Sequence, residues 1–425
     1  ICPHVLVNRV WILELFHGPT LAFKDVAMGL VMRLLQYFLK KNRKKANVLI
    51  ATSGDTGPAA IHAAIGKGDN LDVWCLYPKG LVSEEQEIQM VSVHPKESNV
   101  HVLAVENSDS DALDAVLKGI YDDPNFVEKY GITSVNSINW ARVMAQTVHF
   151  FYSYLNVVFS QEKEGNINAE NIPSVIFSIP TGAFGHMTAG FIAKQMGLPV
   201  RNFIVATNQN LELSIFFESG LFMREPLLQS MSNAIDIVVP YNIERFLFFV
   251  TERDHQSVKE WMEGLEVKGT FQIPLQTLQK LRQTFFCASV SEEETILTIR
   301  NHWENNEYLL DPHTAVGVCA FGKFSETVTF SQQSSISKNA ICVATAHPGK
   351  FKESMCEALG ATTDTLPPQA FHSSLVAMAQ QATGKIDMEI GADGCKGAEA
   401  MLRSLIEAAK ISEHPESQQL SCSVC

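Results

Sequence analysis

Four short segments of this sequence carry residue types at spacings that suggest chemistry. The first, Glu14 to Asp25, reads ELFHGPTLAFKD and has a lysine, Lys24, next to its end. Gly18 and Pro19 make a turn, Thr20 can cap the next helix, and from Val26 a helix with Leu30, Leu34, Leu35 and Phe38 is apolar on more than one side. Lys24 therefore stands near the start of a helix expected to be buried. Burying an ammonium is costly, and desolvation lowers its pKa, which is what an amine needs to form an imine with an aldehyde. A lysine snorkelling from a helix end is the alternative. The second segment, TSGDTG at Thr52 to Gly57, follows a strand and opens a helix, whose free N–H groups bind an anion. Ser53, Thr56 and the loop amides suit a carboxylate or phosphate; an N-cap cluster without a ligand is the alternative. The third, PTGAFGH at Pro180 to His186, is again a strand-to-helix turn. Gly182 and Gly185 let the backbone approach a phosphate closely and Thr181 adds a hydroxyl; a nucleotide phosphate fits it as well as a cofactor's. The fourth, ATAHPGKF at Ala344 to Phe351, places Thr345 at a strand's carboxyl end, where ligands of α/β proteins sit. A turn cap is the plain reading of Thr345.

The elements that must position these segments alternate between strand-like and helix-like runs. Strands are expected at Val48 to Ala51, Asp72 to Tyr77, Val100 to Val105, Ser174 to Ile179, Arg201 to Thr207 and Ala340 to Ala344. Helices are expected at Pro58 to Ile65, Asp109 to Tyr121 and Met187 to Met196, and Val148 to Phe159 reads as a buried helix. This βαβ rhythm predicts an α/β protein with two open, mostly parallel sheets flanked by helices. Polar stretches at Gln161 to Asn171 and Ser331 to Lys338 divide the chain. The expected organisation is residues 1–46 as an N-terminal remnant and lysine helix within a large domain, 47–160 as a small α/β domain with the TSGDTG loop, 166–360 as the large domain with the PTGAFGH loop, and 361–425 as a C-terminal region with a disordered tail.

A lysine at a helix start, then a carboxylate-type loop, then a Gly-rich phosphate loop, then a hydroxyl after a late strand is the order of fold type II pyridoxal-phosphate (PLP) enzymes, the tryptophan synthase β-like architecture. ELFHGPTLAFKD resembles the cofactor-lysine motif of threonine synthases nearly residue for residue. YPKG at Tyr77 to Gly80, NSINWAR at Asn136 to Arg142 and ATAHP at Ala344 to Pro348 are similar to the same family, and the resemblance covers roughly Trp11 to Glu353. The family's usual phosphate loop reads GNFGN, whereas Ala183 and His186 stand at the two Asn positions here. That alteration resembles the animal threonine synthase-like 2 group, which is associated with phospho-lyase chemistry. The family's further N-terminal region is nearly absent, and the chain begins with Ile1, so an N-terminally truncated chain is expected.

The resemblance implies pyridoxal 5'-phosphate bound covalently to Lys24, whose amine then serves as general base and acid. It implies Gly182, Ala183, Phe184, Gly185 and His186 around the cofactor phosphate, and Thr345 donating its hydroxyl to the pyridine nitrogen. Thr52, Ser53, Asp55 and Thr56 would line the substrate-carboxylate loop. Arg142 would meet the substrate phosphate, since a guanidinium matches it bidentately; a surface salt bridge is its other reading. The implied substrate is a phosphorylated amino acid, O-phosphohomoserine or O-phosphothreonine, going to 2-oxobutyrate, ammonia and phosphate. Threonine synthesis proper, or an inactive member acting as a binding protein, are the alternatives.

Composition narrows the classes. The net charge of −13 and pI near 5.5 oppose binding to nucleic acid or anionic lipid. No apolar stretch approaches the roughly 20 residues that span a bilayer. The basic run Lys40, Lys41, Arg43, Lys44 and Lys45 reads as a solvated helix end. The nine cysteines are scattered and read as reduced thiols, and Cys422 and Cys425 as part of an exposed tail with no metal ion. A cytoplasmic monomer or homodimer is expected.

Overall fold

The computed structural model describes residues 2–163, 173–328 and 336–412, without the side chains of 410–412. Most of the polar stretches Gln161 to Asn171 and Ser331 to Lys338, and all of the tail holding Cys422 and Cys425, lie outside the described residues. The chain forms two compact units: Ile1–Val31, Ser83–Glu85 and Ser137–Gln380 make the first, and Met32–Val82, Gln86–Asn136 and Gln381–Cys425 the second.

The first unit is built on a six-stranded sheet in the order His4–Val7, Val10–Glu14, Ala340–Ala344, Val175–Pro180, Val200–Thr207, Phe285–Ser289. Only the first pair is antiparallel. The central strands are near-continuous apolar runs, as strands buried on both faces must be. Successive side chains point to opposite faces. Leu13, Phe177, Val205 and Val343 accordingly enter one core, while Ile12, Ile176, Ile204 and Cys342 enter another.

The second unit carries a five-stranded, all-parallel sheet in the order Ile386–Glu389, Val100–Glu106, Leu71–Pro78, Ala46–Ala51, Ile132–Ser134. The expected strands and helices appear, most with ends shifted by a few residues; Pro58 to Ile65, for example, is the helix Thr56–Ala64, whereas Val148 to Phe159 is only the middle of the 24-residue helix Trp140–Lys163. The seven described cysteines are all free. Among the described residues no helix is long and apolar enough to cross a membrane.

The structure differs from these expectations, or adds to them, at four points. The helix Trp140–Lys163 belongs to the first unit rather than to a small domain ending at residue 160, because its Phe150, Tyr154 and Val157 pack into the core that holds Val175 and Phe177. That helix is not buried all round: Met144, Val148, Tyr152, Leu155 and Phe159 are exposed along one side. The helix Lys24–Asn42 likewise buries Ala27, Met28, Val31 and Met32 but exposes Leu30, Leu34, Tyr37 and Phe38. Finally, part of 361–425 is integral to the second unit. Ile386–Glu389 pairs in parallel with Val100–Glu106, and Ala398, Leu402 and Ile406 of the helix Cys395–Ser412 join Leu113 and Leu117 in its core.

Candidate active site

Three adjacent parallel strands of the first unit, Val10–Glu14, Ala340–Ala344 and Val175–Pro180, deliver their carboxyl ends to one edge of the sheet. The lysine segment, Thr345 and the PTGAFGH loop continue directly from these three strands, so topology alone gathers them. Hydrogen bonds tie the first two: Leu15 N donates to Ala344 O at 3.0 Å, Phe23 N to Thr345 O at 2.8 Å and His347 N to Leu21 O at 3.0 Å. Lys24 thus starts its helix one residue from a direct tie to Thr345.

The turn before Lys24 is organised around Asp25 rather than capped by Thr20. Asp25 Oδ1 accepts from Thr20 Oγ1 at 2.6 Å and Oδ2 from Thr20 N at 2.9 Å. Burial raises the Asp25 carboxyl above its usual range, and the Thr20 hydrogen bonds and nearby Lys350 oppose that rise. Gly18 is required here, because a Cβ would lie 2.4 Å from that of Asp25. Lys24 is half-buried, its Nζ 5.6 Å from the Phe23 ring centroid. A second lysine, Lys350, is fully buried and donates from Nζ to Thr20 O at 2.9 Å.

The loop after Val175–Pro180 has the shape of an anion cradle. A Cβ on Gly182 would stand 2.7 Å from Ile235 Cα, so only glycine fits that close approach. Phe184 is left-handed (φ 62°) and caps the helix Gly185–Gln195 without a side-chain hydrogen bond, leaving first-turn N–H groups for a ligand. Asn242, fully buried, holds Ala183 from behind: its backbone N and its Nδ2 both donate to Ala183 O, at 3.1 and 3.2 Å.

Thr345 is 5% exposed, and its hydroxyl has no partner among the described residues. Its backbone N donates to Thr314 Oγ1 at 3.3 Å, and Thr314 Oγ1 donates in turn to the buried Asp311 carboxylate. His313 Nε2 accepts from Ala234 N at 3.1 Å, so its hydrogen sits on Nδ1 and is donated to Asp311 at 2.9 Å. Asp311 is thus a buried carboxylate satisfied by four donors at a helix N-terminus.

Arg142 is 2% exposed, which rules out the surface salt bridge. Desolvation pushes its guanidinium down to about 10, still protonated at neutral pH. Gln146 and His149 come after it on the same buried face, at helical spacing. His149 Nε2 lies 2.6 Å from His186 Nε2, so the loop's final residue is paired with that helix.

The TSGDTG loop belongs to the second unit. Thr52 organises it from within: its Oγ1 accepts from Gly54 N and Gly57 N, both at 3.1 Å. Asp55 is 2% exposed and accepts from Gln86 Nε2 at 2.9 Å, which places it beneath the loop as support. The hydroxyls of Ser53 and Thr56 have no partner among the described residues.

Sequence reasoning missed Asn242, Asp311, Thr314, His149 and Lys350. Asp311-Pro312 was legible as an N-cap followed by Pro at the first helical position. Arg142, Gln146, His149 and Ser153 were legible as a polar stripe on an otherwise apolar helix. Asn242 gave no local signal.

Comparison with known proteins agrees with this geometry. A family model for pyridoxal-phosphate dependent enzymes matches residues 3–344, and one for the threonine synthase C-terminal region matches residues 314–383. The chain is 41% identical to the threonine synthase of Eremothecium gossypii over 84% of its own length and 70% of that protein's. It is 38% identical to the threonine synthase-like 2 protein of Mus musculus, over 95% of this chain and 77% of that one. The crystal structure of PLP-bound threonine synthase from Brucella melitensis superposes with a TM-score of 0.82 at 35% identity, covering 96% of this chain and 80% of that one.

Proposed function

From the premise that this chain belongs to the threonine synthase family of pyridoxal-phosphate dependent enzymes and takes pyridoxal 5'-phosphate as cofactor, we propose that it eliminates phosphate from O-phosphohomoserine or O-phosphothreonine, giving 2-oxobutyrate, ammonia and phosphate. The residues present fit the cofactor: a loop closed to any side chain at Gly182, a helix N-terminus behind it, and a buried hydroxyl at Thr345 with no partner among the described residues. When bound, the cofactor supplies the electron sink for a carbanion at the substrate's Cα.

In this reading Lys24 Nζ takes and returns the protons at the substrate's Cα and Cβ, and removal of the Cβ proton is what lets a phosphate on Cγ leave. The PTGAFGH amides, with His186, hold the cofactor phosphate. Thr345 Oγ1 donates to the ring nitrogen, and Thr314 and Asp311 hold the Thr345 backbone in place for it. A hydroxyl donates only to an unprotonated nitrogen, so the ring is a weaker sink than one facing a carboxylate. Ser53 and Thr56 receive the substrate carboxylate, on a loop that Thr52 and Asp55 support. Arg142, charged and buried, takes the substrate phosphate.

The observation that carries elimination over synthesis is the loop itself, with Ala183 and His186 at the usual Asn positions. Threonine synthesis, in which one water adds at Cβ, is the second reading, and the 41% identity to the Eremothecium gossypii enzyme favours it. Incubation with O-phosphohomoserine separates them: 2-oxobutyrate in excess of threonine supports the proposal, and threonine alone refutes it. If no product forms from O-phosphohomoserine or from O-phosphothreonine, both catalytic readings fail and the reading as an inactive, binding member of the family is left.

Two substitutions test the assignments. Gly182→Ala forces the loop off Ile235; overpacking of this kind costs about 1–3 kcal/mol, and PLP affinity is expected to fall about tenfold or more by fluorescence titration. Arg142→Gln is expected to raise KM for the phosphorylated substrate about 10- to 100-fold with a smaller change in kcat. A kcat loss at unchanged KM would remove Arg142 from the phosphate subsite.

A further inference from the structure

His149 and His186 meet Nε2 to Nε2 at 2.6 Å, with ring centroids 4.8 Å apart and planes at 74°. Both are buried, at 3% and 7% exposure. The His186 ring also stacks on Phe23, with centroids 4.9 Å apart and planes at 18°, and Phe23 precedes Lys24 in the chain. Neither Nδ1 atom has a hydrogen-bond partner among the described residues. Desolvation pushes His149 down to about 3 and His186 well below its ordinary value, so both rings are neutral at physiological pH.

Two neutral imidazoles in such contact share one hydrogen. The ring that donates it has a bare Nδ1, and the ring that accepts it has its own hydrogen on Nδ1. One member of the pair therefore holds a buried N–H with no acceptor, an arrangement proteins avoid unless a ligand completes it. His186 lies in the loop assigned to the cofactor phosphate, where the family's usual pattern has Asn, an amide donor. A phosphate dianion only accepts hydrogen bonds, so a ring facing it must present N–H.

We propose that His186 offers its Nδ1–H to the phosphate of bound pyridoxal 5'-phosphate, and that His149 is the positioning residue that enforces this tautomer by donating its Nε2–H to His186 Nε2. The inference deepens the reading given under Proposed function and rests on it. His149 touches no ligand. Its donated hydrogen occupies the nitrogen on which His186 would otherwise carry its own, and the contact with Phe23 holds the ring in place.

The test uses the full chain labelled with 15N-histidine, with and without PLP. Two-bond 15N–1H correlation spectra read each ring's tautomer, and the spectra of His149→Leu and His186→Asn assign the two rings. In the PLP-bound wild type His186 is expected as Nδ1–H and His149 as Nε2–H. His149→Gln, whose amide can donate in the same place, is expected to keep that tautomer and hold PLP affinity within about threefold. His149→Leu is expected to return His186 to Nε2–H and weaken PLP binding about tenfold. An Nε2–H tautomer of His186 in the PLP-bound wild type overturns the proposal by itself, even if the Leu variant does not fold. So does a Leu variant that binds PLP as tightly as the Gln variant. A wild type that binds no PLP refutes the cofactor's placement as well, which separates that failure from a wrong tautomer in a yellow, loaded protein.

Discussion

Lys24→Ala is expected to abolish the covalent attachment of cofactor and to lower turnover by about 10³-fold or more, since it removes both the bonding amine and the general base. The competing amine is Lys350, which is more deeply buried than Lys24. Burial alone would point to Lys350 as the reacting amine. Its hydrogen bond to Thr20 O argues otherwise: Nζ is committed to holding the turn that precedes Lys24. Lys24 stands at the head of its helix on the same sheet edge as Thr345 and the Gly-rich loop. Borohydride reduction of the PLP-loaded protein followed by peptide mapping should label Lys24, and the Ala variant should carry no label and lose its yellow colour while remaining folded. A label on Lys350 would move the chemistry to the other amine and leave the sheet-edge site without its nucleophile.

The second large effect is on stability. Histidine in an unfolded chain titrates near 6.5. In the folded protein His149 titrates at about 3 and His186 well below its ordinary value, both because burial disfavours the charged ring. Their folded pKa values are therefore depressed, and the unfolded chain binds more protons throughout the interval. Stability is fully present above about pH 6.5 and falls as the pH drops, at about 1.4 kcal/mol per pH unit for the His149 ring, with His186 acting in the same direction. By pH 5 the His149 ring alone costs about 2 kcal/mol, a noticeable share of the roughly 5–15 kcal/mol that holds a typical domain. The buried carboxyls Asp25 and Asp236, raised chiefly by desolvation, act in the opposite sense at lower pH. Comparing wild type with His149→Leu removes that common contribution. Urea unfolding at pH 7.5 and pH 5 should show the wild type losing about 2 kcal/mol more than the variant. Parallel losses would mean that His149 is protonated in the folded state.

Much of the site was legible in the sequence because its parts are local. ELFHGPTLAFKD, TSGDTG, PTGAFGH and ATAHP each sit at the end of a strand and carry their own turn residues, and turn chemistry depends on neighbours in the chain. The need for Gly182 was visible as glycine in a strand-to-helix turn, and the structure adds that a side chain there would strike Ile235; that Gly57 has no room either, against Thr52, Cys75 and Met90, only the structure shows. Strand runs such as Ala340–Ala344 were legible because a strand buried on both faces must be apolar at every position.

The sequence by itself determined this set of turns, the strands that carry them, and through their order the family. Only the tertiary structure decided which of them meet. Strand order places Val10–Glu14 and Val175–Pro180 on either side of Ala340–Ala344, joining residues more than 300 positions apart, and no local pattern encodes such a pairing. The same holds for the helix Trp140–Lys163. Its apolar run predicted burial, but which face is covered depends on the sheet against which Phe150 and Val157 pack. That choice brings His149 to His186, buries Arg142 and leaves Val148 and Phe159 exposed. Backbone hydrogen bonding and turn chemistry act between near neighbours and are written along the chain. Burial and long-range pairing arise from the packing of distant segments, and exist only once the fold is complete.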